Sequence, residues 1–327
     1  MTNLTSHPAD RSHSSHKGQA PILSDFPGPA LVTGGAGFIG SHLAEKLASM
    51  GSDVTVLDNL SSGRRSNLLK AGPKVRLVEG DVRDGALVNQ LAKGMAAVFH
   101  LAAMTSVPLS QTEPETCLDN NGLGTLTVMR ACVEAKVPRL VYASSSAVYG
   151  HLEGPHSEAL LPQPNTPYAA IKLLGEHLGL SYRDSHGLIT VSLRYFNVYG
   201  PRQSAEGADA GVVPIFVKAL SEGRSPVIYG DGTQTRDFIH VTDVVRATVL
   251  AALASDPGDG IFNVATGRQT SVLEVLSLLS HSSKTPKAIF EPPRAGDTLR
   301  SRGLTQKAEA GLGFTATIDL QSGLLDL

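Results

Sequence analysis

From Pro29 onward the chain alternates short runs of aliphatic and β-branched residues with longer stretches whose apolar positions recur every three to four residues. The runs at 30–35, 53–59, 74–82, 97–103, 139–146 and 188–200 predict strands, and the stretches at 41–50, 84–94, 123–136 and 167–187 predict helices. Strand–helix alternation of this regularity implies an α/β fold, a doubly wound parallel sheet covered on both faces. After Tyr199-Gly200-Pro201 the rhythm weakens. A Gly/Ala-rich loop at 203–211 precedes a helix around 212–222, a strand at 226–230, a helix near 242–254 and another at 271–280. The expected organisation is a nucleotide domain over 29–200, rejoined by 237–265, with a smaller C-terminal substrate lobe built from 201–236 and 266–327. Residues 1–28 are polar, rich in Ser and His, and lack the apolar middle of a secretory signal, so they read as a disordered extension. His7, His13 and His16 there read as part of a solvated tail rather than as metal ligands.

Composition narrows the partners. The chain has 327 residues, 41% of them hydrophobic, enough for a sizeable core. Its 28 basic residues against 30 acidic ones give no footprint for nucleic acid or an anionic membrane. No apolar run approaches the ~20 residues of a membrane span. Cys117 and Cys132 fall in one helical stretch, which favours free thiols and a reduced, cytoplasmic setting.

The first chemical signal is TGGAGFIG at 33–40. Gly34, Gly37 and Gly40 are spaced so that the backbone turns tightly and approaches a pyrophosphate at the positive end of the following helix. A strand precedes, a helix follows, and Asp58 closes the second strand about 20 residues on, where an acid binds the adenosine ribose hydroxyls. That is the fingerprint of a Rossmann dinucleotide site. The Asp58 charge would repel a 2′-phosphate, so NAD is favoured over NADP, although Arg64 and Arg65 stand close by in sequence.

The second signal is Tyr168 and Lys172 at i, i+4, on one face of a predicted helix. A phenol acting as a base near neutral pH must be brought well down from ~10, which a neighbouring ammonium favours. The pair follows the hydroxyl-rich strand end SSSAVYG at 144–150, which carries no carboxylate.

With these residues the chain resembles the extended short-chain dehydrogenase/reductases, and among them the nucleotide-sugar 4-epimerases. The resemblance runs from about residue 30 to 325, through TGGAGFIGSHL, DNLSSG, GDVRD, HLAAMTSVPLS, SSSAVYG, YAAIK, RYFNVYGPRQ, GDGTQTRDFIHVTDV and PRAGD. It implies a catalytic trio of Ser145, Tyr168 and Lys172. Tyr168 would take the proton of the sugar 4-hydroxyl as hydride leaves C4, Ser145 would bond the same oxygen, and Lys172 would hold the nicotinamide ribose. For the cofactor it implies Gly34, Gly37, Phe38, Ile39, Gly40, Asp58, Asn59, Ser62, Gly63, Asp81, Val82, Leu101, Ala102, Ala103, Asn121 and Tyr195, with Tyr168 and Lys172. Asn121 reads equally well as a helix N-cap. Family members that dehydrate or decarboxylate sugars carry acids where Ser146 and Ala147 stand, so the resemblance favours epimerisation without elimination.

For a UDP-sugar substrate it implies Thr105, Ser106, Ser145, Ser146, Asn197, Val213, Arg236, Arg294, Asp297 and Ser301. Arg236 and Arg294 would pair with the diphosphate, for which a planar fork of donors is suited. Asp297 would bind the nucleoside ribose. Ser301 falls at a position where a small residue leaves room for an N-acetyl group beside C2. Leu304 departs from the family, which usually carries an acid there. The resemblance also implies a homodimer through helices near 115–135 and 168–186, with Leu118, Leu126, Met129 and Val133 as candidates for the seam.

The leading reading is an NAD-dependent 4-epimerase of a UDP-hexose or UDP-N-acetylhexosamine. One rival is a UDP-uronic acid 4-epimerase in which Thr105, Ser106 or Arg194 meets the carboxylate. Others are a net nucleotide-sugar oxidoreductase and a non-catalytic NAD sensor.

Overall fold

Strands that are apolar on both faces can only be satisfied inside a layered sandwich, and the chain builds one. The computed structural model describes residues 26–207, 210–280, 286–293 and 299–327. The first half runs β1 (Ala30–Thr33), α1 (Phe38–Ser49), β2 (Val54–Asp58), β3 (Val75–Glu79), α2 (Gly85–Ala92) and β4 (Ala97–His100). Two short helices follow, α3 (Val107–Thr112) and α4 (Pro114–Cys117). A π-helical turn over 118–123 leads into α5 (Gly124–Glu134), then β5 (Arg139–Ser145), α6 (Pro167–His186) and β6 (Ile189–Tyr195). The second half contributes β7 (Asn197–Tyr199), α7 (Val212–Ser221), β8 (Val227–Tyr229), β9 (Thr235–Arg236), β10 (Phe238–His240), α8 (Val241–Leu253) and β11 (Ile261–Val264). It ends with β12 (Thr270–Ser271), α9 (Val272–Leu279), β13 (Ile289–Glu291), α10 (Gln306–Leu312) and α11 (Leu320–Leu324).

Seven strands form one parallel sheet in the order β11-β6-β5-β4-β1-β2-β3. Strand order reverses between β1 and β4, and a crevice opens at their carboxyl ends; ligands of such sheets bind there. Leu43, Leu47, Val244 and Leu250 of α1 and α8 pack into the core on one face, and Val88, Leu91, Val128 and Met129 of α2 and α5 into that on the other. A separate small core of Val213, Phe216, Ile228, Val272 and Val275 holds the C-terminal lobe together. Among the described residues no helix is long and apolar enough to cross a membrane.

Local signals explain the best-placed helix. Thr166 caps α6 by accepting from Ala169 N at 3.2 Å, Pro167 sits at its first position, and Gly187 ends it in the left-handed region at φ +70°.

Three expectations need correction. The sequence pattern carries the polar extension to residue 28, yet Phe26 is only 7% exposed and packs against Phe99; one aromatic among polar neighbours found a core partner. Residues 1–25, with the histidines named above, lie outside the described residues. The apolar run 188–200 is two strands, because Phe196 N still bonds Val264 O in the main sheet whereas Asn197 N bonds Asp237 O and turns β7 to pair with β10. The helix expected over 123–136 is present as α5, preceded by α3, α4 and the π turn. Finally, Met129 is fully buried in the core, so it is not available for a dimer seam, whereas Leu126 and Val133 are half-buried. Cys117 and Cys132 are buried free thiols.

Candidate active site

The glycine turn after β1 is shaped by what it lies against. A Cβ on Gly34, which sits at φ +70°, would stand 2.7 Å from the Ala102 backbone nitrogen, and one on Gly40 would collide with Gly34 O. Side chains are thus excluded where Leu101, Ala102 and Ala103 leave β4 and meet the turn. Gly37 caps α1 with no side chain to offer, and the first turn, which includes Phe38, Ile39 and Gly40, holds no acid. The positive helix end therefore has no capping side chain of its own.

Asp58, buried at the end of β2, accepts from Ala36 N at 2.9 Å and Leu60 N at 2.8 Å. Each carboxylate oxygen keeps a second lone pair for a ribose hydroxyl. The 58–63 loop closes over it, with a Cβ on Gly63 falling 2.8 Å from Asp58 Oδ1 and Ser62 exposed beside it. Asn59 Nδ2 donates to Asp81 at 3.2 Å, and Arg83 donates to the same carboxylate through Nε at 2.9 Å and Nη2 at 2.7 Å. The Arg83 hydrogen bonds hold the Asp81 carboxyl well below the usual carboxylate range. Val82 is buried in the core behind them. A bare helix end, a cradle with no room for side chains and a carboxylate with lone pairs to spare fit a dinucleotide.

At the other end of the crevice, β5 delivers Ser145, whose Oγ accepts from Ala147 N at 3.1 Å and starts a 3-10 turn over Ser146–Tyr149. Tyr168 sits in the first turn of α6; its backbone N donates to Ser110 Oγ of α3 at 3.2 Å. One turn on, Lys172 Nζ donates to Ala143 O at 2.8 Å and lies 5.7 Å from the centre of the Tyr168 ring. Burial pushes the Lys172 ammonium down to about 8.

That shift has a sign. An unfolded lysine holds its proton up to ~10.4, so between pH about 8 and that value the unfolded chain binds more protons than the folded one. This lysine therefore destabilises the fold below pH 8, an effect that fades as pH rises through the window. The wild type is expected to gain stability relative to Lys172→Met between pH 8 and 10 in urea titrations. Parallel curves would show that Lys172 titrates normally.

Asn121 is neither a helix N-cap nor turned outward. It sits inside the π turn, where its Oδ1 accepts from Met104 N at 2.7 Å and its Nδ2 donates to Met104 O at 2.8 Å. It fixes the segment that leads to Thr105, and π turns often mark functional positions.

One cavity of about 290 Å3 gathers much of the expected set: Thr105, Ser145, Ser146, Tyr168, Tyr195, Asn197, Arg236 and Ser301 all line it. Val107, Ala147, Gly150, His156 and Phe196 complete the wall. Lys172 stands behind Tyr168. Three expected residues are used otherwise. Ser106 caps α3 by accepting from Leu109 N at 3.2 Å, Val213 is packed in the lobe core, and the Tyr195 hydroxyl bonds Thr248 Oγ1 at 2.7 Å within the main core. Arg294 and Asp297 lie outside the described residues.

Two features escape sequence reading. Asp237, fully buried, accepts from Thr266 N, Thr266 Oγ1, Gly267 N and Gly303 N at 2.7–3.1 Å, tying the chain beside Arg236 to the segment after Ser301. His156 comes from a polar loop that gives no signal. Arg194 is also displaced from its expected use, because its Nε and Nη2 are both held by Glu176 in the interior.

A doubly wound sheet with a glycine cradle, a buried acid ending β2 and a serine and tyrosine on one cavity with a lysine behind them is the build of the short-chain dehydrogenase type. The chain belongs to the NAD dependent epimerase/dehydratase family, which it matches over residues 30–265, and NAD is its cofactor. It is 41% identical over 300 residues to the UDP-glucose 4-epimerase of Mycolicibacterium smegmatis, covering 90% of this chain and 95% of that protein. Among solved structures, the UDP-N-acetylglucosamine 4-epimerase of Methanobrevibacter ruminantium M1 in complex with UDP-N-acetylmuramic acid superposes with a TM-score of 0.86 at 36% identity, over 91% of this chain and 96% of that one. The UDP-glucose 4-epimerase of Thermus thermophilus, complexed with NAD, gives 0.83 at 38% identity, over 90% and 96%.

Proposed function

We propose that the chain epimerises C4 of a UDP-hexose or UDP-N-acetylhexosamine through a transient 4-keto sugar, with NAD held between turnovers. The supporting observation is the cavity wall. It presents Ser145 and Tyr168 together and contains no carboxylate among its described residues. Elimination or decarboxylation by relatives of this type draws on acids where Ser146 and Ala147 stand, and neither residue here is a carboxylate.

Bound in the glycine cradle beside Asp58, NAD would supply a reversible hydride acceptor for C4. Tyr168 removes the O4 proton in the first half-reaction and restores it in the second, so no net proton or electron is consumed. Ser145 Oγ shares that oxygen. Lys172, fixed by Ala143 O, supplies the positive charge that favours a phenolate. Arg236 and Asn197, which line the same cavity, hold the diphosphate while the keto sugar turns over. The small Ser301 leaves space beside the ring for an N-acetyl group. The uronate reading loses Arg194 to Glu176 and Ser106 to the α3 cap.

Purified protein with no added cofactor, incubated separately with UDP-glucose, UDP-N-acetylglucosamine and UDP-glucuronate, is expected to convert one of the first two. The new C4 epimer appears as a second anomeric proton signal by NMR. Conversion of the glucuronate alone, or consumption of added NAD with a sugar, would replace this reading.

Homodimerisation is proposed on a seam that keeps Leu118 and the half-buried Leu126 of the expected residues and adds two others. Leu118, Leu123 and Leu174, on the π turn and α6, are 44%, 51% and 41% exposed and suit a helical seam. Light scattering reporting the monomer mass would rule it out.

A further inference from the structure

His156 is built into the cavity more firmly than its loop origin suggests. Its backbone N donates to Arg302 O at 2.7 Å, and its O accepts from Leu304 N at 2.8 Å, making a parallel bridge across Gly303 just past Ser301. One ring face stacks on Tyr149 with centroids 4.7 Å apart. The side chain is positioned, not merely enclosed.

Its hydrogen bonding is half complete. Nε2 lies 2.8 Å from Leu152 O. A carbonyl only accepts, so Nε2 carries the proton and, in the neutral ring, Nδ1 is a bare acceptor. Nδ1 is buried and has no partner. Of the described residues that carry a buried, unpartnered side-chain nitrogen or oxygen, only His156 also lines the cavity. Buried polar atoms are nearly always satisfied, and an exception calls for a missing partner.

We propose that His156 is a sugar-specificity residue whose Nδ1 accepts a hydrogen bond from a donor on the bound sugar, either a ring hydroxyl or an amide N–H. The donor sits on the Ser301 side of the cavity, and the loop carrying His156 adjusts slightly to meet it. A carboxylate substituent has no proton to give and is disfavoured at this point. The inference rests on the UDP-sugar reading above and deepens it.

Calorimetry tests it in a Tyr168→Phe background, so that sugars are bound without turnover. His156→Phe keeps the stacking and removes the acceptor. It is expected to bind UDP with the parent's affinity while losing about tenfold for the UDP-sugar, the scale of one ordinary hydrogen bond. A loss with both UDP-glucose and UDP-N-acetylglucosamine assigns the donor to a hydroxyl, and a loss with the acetylated sugar alone assigns it to the amide. His156→Asn places an oxygen near the Nδ1 position and is expected to recover the sugar contribution. The inference falls if His156→Phe binds UDP and UDP-sugars equally well as the parent, or if UDP and UDP-sugar weaken in parallel. Should His156→Phe not fold, loss of the sugar contribution in His156→Asn overturns it. Wild-type protein that binds UDP-sugars but never epimerises them would overturn the proposed function and leave this inference standing.

Discussion

Tyr168→Phe is expected to fold normally and to lower turnover of the epimerised UDP-sugar by about 10²–10⁴-fold, the usual contribution of a positioned acid–base group. The ring is held by Cys117 and Ile171, with Met104, Val107 and Ala147 against them, and phenylalanine keeps those contacts. The backbone bond to Ser110 and the Lys172 anchor on Ala143 O do not involve the hydroxyl. What disappears is one oxygen at the cavity wall. The effect should therefore fall on kcat, with KM and the melting temperature close to wild type. A variant that kept turnover within about threefold would remove Tyr168 from the chemistry, since even a weak general base contributes more.

How much of this was readable beforehand depended on distance along the chain. The glycine turn, Asp58 at its strand end, the Thr166–Pro167 start and Gly187 stop of α6, and the Tyr168–Lys172 pair are all local patterns, and local geometry forces them. Partnerships between distant segments leave no such mark. Nothing near Asp237 announces that it will take bonds from Thr266, Gly267 and Gly303, and Phe196 carries no sign that the chain changes sheets there. Helical periodicity puts Val213 on the apolar face of α7, but the same periodicity suits a substrate wall and a lobe core. An asparagine serves as cap or as clamp, and only the fold of Met104 against Asn121 decides between them.

Arg194 and Glu176 give the second large effect. Their side chains are 3% and 1% exposed, joined at 2.7 Å between Nη2 and Oε2 and at 2.9 Å between Nε and Oε1. Ser144 Oγ donates to the same carboxylate, and Arg194 Nη1 donates to the Tyr149 hydroxyl at 2.9 Å, which in turn donates to Asn263 at 2.7 Å. Glu176→Ala strands a guanidinium in the interior, which is expected to cost about 3–5 kcal/mol of unfolding free energy. The pair's net worth is smaller than that penalty, because forming it also required desolvating both charges. A joint Glu176→Leu, Arg194→Met replacement should accordingly recover much of the loss in urea titrations, since an apolar pair leaves no orphan charge. Glu176→Ala within about 1 kcal/mol of wild type would mean that water reaches Arg194. Position makes the pair more than ballast. Glu176 lies one turn beyond Lys172, Ser144 immediately precedes Ser145, and Arg194 is in register with Ser144 across β5 and β6. The joint variant therefore separates stability from alignment: if it folds well yet turns over slowly, the ion pair sets the seating of α6 against Ser145, and if it turns over normally, apolar packing alone seats the helix.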